Sequence, residues 1–67
     1  MTNHPNPDPA DIRAAREAAG LTQTAAAALI YCGMRSWQQW ESGQRRMHPA
    51  LWRLWRHLVG LEEIPFP

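Results

Sequence analysis

Between Gly33 and Ser42 the sequence Met34-Arg35-Ser36-Trp37-Gln38-Gln39-Trp40-Glu41 sets guanidinium, hydroxyl and carboxamide groups among large apolar ones. Arginine donates a planar pair of hydrogen bonds that matches phosphate oxygens or the O6/N7 edge of guanine. Glutamine matches the N6/N7 edge of adenine. Every basic side chain of the chain is arginine. Five of the seven, Arg35, Arg45, Arg46, Arg53 and Arg56, fall between residues 35 and 56, a stretch with one acid, Glu41. Arg45 and Arg46 follow directly on this segment and are read as phosphate contacts, whereas Arg53 and Arg56 are read as solvated. Cys32, His48 and His57 lack the spacing of a zinc site or of a nucleophile with an oriented base, so neither a metal nor catalysis is expected. Cys32 is read as a packed thiol, and His48 as a helix cap before Pro49.

Helices must position these groups. Asp8-Pro9-Ala10-Asp11 starts one with an N-cap acceptor, a proline in the first turn and an acid beside the amide dipoles, and Gly20 ends it. Over about residues 9–19, Ile12, Ala15 and Ala19 recur at helical spacing, and Arg13 and Glu17 can pair at i, i+4. Thr22 caps a second, alanine-rich helix running to Ile30, whose small side chains admit a steeply crossing neighbour. A third helix from Met34 to Trp40 turns Trp37, Trp40 and Met34 inward and Arg35, Ser36, Gln38 and Gln39 outward, and Ser42-Gly43 closes it. Pro49 opens a fourth helix over about residues 49–59. Its Leu51, Trp52, Leu54, Trp55, Leu58 and Val59 share an arc of roughly 160° at the helical turn angle, with Arg53, Arg56 and His57 opposite.

The fold class is therefore all-α, with residues 1–7 as a flexible arm, residues 8–60 as the domain and residues 61–67 as an extended tail. A 67-residue chain buries a small share of its surface, and one cysteine permits no internal disulfide, so association with a second copy is the expected source of added stability. The wide arc of the last helix supplies the surface: Trp52, Trp55 and Val59, joined by Ile64 and Phe66 of the tail, are expected at a dimer interface. The four tryptophans are read as core or interface rather than as stacking platforms for unpaired bases. No apolar run nears the ~20 residues of a membrane span and no secretory leader is evident, so a cytoplasmic protein is expected.

Leu21-Thr22-Gln23, Ala27, Trp40-Glu41-Ser42-Gly43 and Arg45-Arg46 resemble the Cro/C1-type (XRE) helix-turn-helix of phage and bacterial regulators, in register from Leu21 to Gly43 and over about residues 9–60 in all. The resemblance implies a lambda-repressor-like four-helix domain that binds double-stranded DNA. It places Met34, Arg35 and Gln39, with Gln38 nearby, against base edges, and Gln23, Ser36, Ser42, Gln44, Arg45 and Arg46 against the sugar-phosphate backbone. It also implies a buried ion pair between Arg16 and Glu41. Where the family often has a turn glycine this chain has Tyr31, so either Tyr31 adopts a positive φ or Gly33 absorbs the bend. The expected function is a dimeric transcriptional repressor on a palindromic operator. Autorepression of a short phage or mobile-element operon, as by small regulators beside anti-CRISPR genes, is its context by analogy. No cofactor and no small-molecule effector are expected. The alternative is an antitoxin-like module whose main partner is a different protein.

Overall fold

A computed structural model describes residues 6–61, and among them four helices and no strand: α1 (Pro9–Ala18), α2 (Gln23–Ala28), α3 (Met34–Ser42) and α4 (Pro49–Leu58). The expected order and starts are reproduced. The arm before Asn6 and the tail beyond Leu61, with Ile64 and Phe66, lie outside the described residues.

Each helix begins where a local signal places it. Thr22 Oγ1 accepts a hydrogen bond from the Ala25 amide, and His48 Nδ1 accepts one from the Ala50 amide. Asp8 occupies the N-cap of α1 as expected, but its side chain caps no amide; its carbonyl takes the amides of Asp11 and Ile12 at 3.0 and 3.1 Å. The expected Arg13–Glu17 pair is absent as well, since Arg13 leans across to Glu41, 4.0 Å away.

Three helices stop with one device. In each, two amides after the helix fold back on carbonyls of the last turn: Gly20 on Glu17 and Leu21 on Arg16, Tyr31 on Ala28 and Cys32 on Ala27, Gly60 on His57 and Leu61 on Arg56. The pivot residue must have positive φ, and it does: 71° at Gly20, 81° at Gly60 and 57° at Tyr31. Tyr31 therefore takes the bend itself, and Gly33 is extended at φ −83° as the N-cap of α3. A side chain in that conformation carries strain, and the phenol, 99% exposed, recovers none of it through packing.

The core is Ile12, Ala26, Ala27, Ile30, Trp37, Trp40, Met47 and Trp55. Alanines on α2 let α3 approach closely, and the indoles fill the volume the alanines leave. Trp37 lies edge-on to Trp40 with centroids 5.6 Å apart and packs on Trp55 at 5.1 Å; Trp55 stacks on Trp52 at 5.9 Å. The buried indole N–H of Trp55 donates to the Ala26 carbonyl at 3.0 Å, pinning α4 to α2.

Three inward or outward assignments are corrected. Met34 is 45% exposed rather than inward, because it stands about 120° around the helix from Trp40 and lies past the edge of the core. Arg56, expected in solvent, is half-buried with its guanidinium over the Trp52 ring at 5.0 Å. Trp55, expected at a dimer interface, is fully enclosed within the chain and offers a partner no surface, while Trp52 and Val59 are half-buried. The large apolar side chains that α4 and its end expose are Leu54, Leu58 and Leu61.

Candidate nucleic-acid interface

Nine residues make α3 about 13 Å long, and its two faces are sharply different. Trp37 and Trp40 are buried, whereas Met34, Arg35, Gln38 and Ser42 are exposed, and Gln39 and Ser36 are half-buried. With Gln44 from the following loop, the exposed groups and Gln39 line one shallow groove of about 590 Å³. The base-reading set expected from the sequence is thus brought together on a single edge, with no member committed to the core.

Past Ser42 the chain reverses through Gly43 at φ 84°. The Arg45 amide donates to the Gln39 carbonyl at 3.2 Å, and Met47, wholly buried, plugs the loop into the core. Because Met47 points inward, its neighbours Gln44, Arg45, Arg46 and His48 remain exposed. The guanidinium groups of Arg45 and Arg46 thus follow the C-terminal end of α3. Met47 was not foreseen as core, since one apolar residue among polar neighbours has no periodicity.

Behind this edge lies a polar cluster that ties three helices. Arg16 Nε donates to Glu41 Oε2 at 2.6 Å and its terminal nitrogen reaches Oε1 at 3.3 Å. The other terminal nitrogen of Arg16 donates to the Leu21 carbonyl at 3.0 Å. Glu41 also accepts from the Trp37 indole and, at 3.2 Å, from Gln23 Nε2. Side-chain exposure of Glu41 is only 6%. Burial pushes its carboxyl up, but the hydrogen bonds from Arg16, Trp37 and Gln23 and the Arg16 charge outweigh this, holding it below its ordinary value. The ion pair implied for Arg16 and Glu41 is present. Gln23, assigned to the phosphate backbone, stands at the first residue of α2 apart from the groove, with its amide nitrogen engaged by Glu41.

A family model described as a helix-turn-helix domain matches residues 10–62, which takes in all of α2, the Tyr31 turn, α3 and the loop after it. The chain belongs to the helix-turn-helix domain family. Within it, α2 and α3 are the pair of helices for which the family is named. A stretch of 42 residues is 43% identical to the type II methyltransferase M.MspI of Moraxella sp, covering 63% of this chain and 10% of that enzyme. This helix-turn-helix domain thus spans about a tenth of the length of the curated relative it matches. No helix among the described residues is long and apolar enough to cross a membrane, and no cluster of His, Cys, Asp and Glu among them is arranged to hold a metal.

Proposed function

We propose that this domain is a sequence-specific transcriptional regulator of the Cro/C1 (XRE) type, acting as a dimeric autorepressor that reads an inverted-repeat operator of a short phage or mobile-element operon. The observation that carries it is the division of α3: two enclosed indoles on one side, and Met34, Arg35, Gln38 and Gln39 along one groove on the other. A helix of this width enters the major groove. Arg35 there addresses guanine, Gln38 and Gln39 address adenine, and Met34 offers an apolar contact for a thymine methyl. Ser36, Ser42, Gln44, Arg45 and Arg46 follow the backbone on either flank, and Gln23 completes the phosphate contacts from α2. Two copies related by a two-fold axis would set their α3 helices about 34 Å apart.

The test is binding to the duplex upstream of the chain's own gene, against random duplex, at two salt concentrations. Arg35→Ala should lose preference for the specific duplex. Arg46→Ala should weaken binding to both duplexes alike and shallow the salt dependence by about one unit of log–log slope. Equal affinity of the wild type for both duplexes refutes autorepression. A second reading is favoured by Leu54, Leu58 and Leu61, which remain exposed on the side of α4: an antitoxin-like module that covers them with a different protein.

A further inference from the structure

Asn6 reaches across 41 residues of sequence to donate its side-chain amide to the Met47 carbonyl at 2.8 Å. The residues after it follow the same course. A Cβ placed on Gly43 would lie 3.7 Å from Pro9 Cγ, and Asn6, Pro7 and Pro9 share a hollow with Trp40, Arg45 and Arg46. Asn6 and Pro7, read from the sequence as part of a flexible arm, are half-buried against the α3–α4 loop. Among the described residues the loop's other bonds are local: Arg45 to Gln39, Gln44 to Ser42, and the amides of Ala50 and Trp52 to His48. Asn6 and the Met47 side chain therefore tie it to the body of the domain.

We propose that Asn6 is a positioning residue for DNA binding, a strap that holds the 43–48 loop backbone so that Arg45 and Arg46 project toward phosphates. This rests on the DNA-reading function above. A carbonyl between the buried Met47 and the α4 cap at His48 is the natural hold point, because fixing it fixes the directions of the two arginines immediately before it. Their long side chains lose rotamer freedom on engaging phosphates, and a pre-set backbone limits what further ordering binding demands.

The test compares wild type, Asn6→Ala, Arg46→Ala and the double variant on the upstream duplex and on random duplex. Asn6→Ala should weaken binding to both on the order of fivefold, the worth of one ordinary hydrogen bond, with a shallower salt dependence and unchanged sequence preference. In the double variant the losses should combine to less than their product, since the strap acts through the arginines. Without DNA, its backbone amide resonances should shift at Gln44–His48 and stay in place in α2. Wild-type binding that Asn6→Ala leaves unchanged, or losses that multiply in full, overturns the strap alone. A wild type that binds no duplex overturns the reading beneath it.

Discussion

Glu41 gathers the polar bonds of the interior. It accepts from Arg16 on α1, from Gln23 on α2 and from Trp37 on its own helix, so a single carboxylate secures the helix pair to α1. Removing it leaves Arg16, whose side chain is 14% exposed, with its charge uncompensated, and Glu41→Ala should cost about 3 kcal/mol in chemical denaturation. The same residue sets an acid limit. A carboxyl held below its ordinary value contributes stability that is complete above the usual carboxylate range and is lost as pH falls through the lowered value. Thermal melts of the wild type should therefore decline from about pH 4 downward. Glu41→Gln should start less stable and show a smaller decline. Equal slopes in the two would assign the acid sensitivity to other carboxylates.

At the scale of elements, the recurring helix stop makes Tyr31 the exception among its equivalents. Gly20 and Gly60 adopt the left-handed pivot freely, and Tyr31 adopts it with a bare, unpacked ring. Tyr31→Gly should raise Tm by about 4 °C while preserving the helical circular dichroism. A lower Tm would mean that the ring stabilises the turn. Helix boundaries were legible because their determinants are local: Pro9, Thr22, His48 and Pro49 at starts, Gly20, Gly43 and Gly60 at stops. The inward set of α3 was legible at Trp37 and Trp40 by spacing but not at Met34, where periodicity alone cannot say how far the covering layer extends. Asn6 and Met47 were illegible, because a bond spanning 41 residues and a lone buried methionine leave no local pattern. Arg56 over Trp52 had a signal, the i, i+4 spacing, that was outweighed by the charge of the arginine. The shared outer edge of Arg35, Gln38 and Gln39 was legible from helical spacing, whereas the tie of Gln23 to Glu41 depends on tertiary approach.

For the whole molecule, the question is what α4 leaves uncovered. Trp55 is spent on the core, so the proposed two-fold interface would draw on the exposed Leu54, Leu58 and Leu61. Replacing Leu54 and Leu58 together by glutamate should convert a dimer in sedimentation equilibrium to a monomer that keeps its helical spectrum, and should weaken operator binding far more than half-site binding. A wild type that sediments as a monomer would move those leucines to a different partner. The division of α3 has a consequence of another kind. Its outer residues Met34, Arg35 and Gln38 stand outside the buried core, so exchanging them should leave the domain folded. Preference for a target can then drift one residue at a time without passing through unstable intermediates, and a library randomised at these positions should yield regulators that ignore one another's operators.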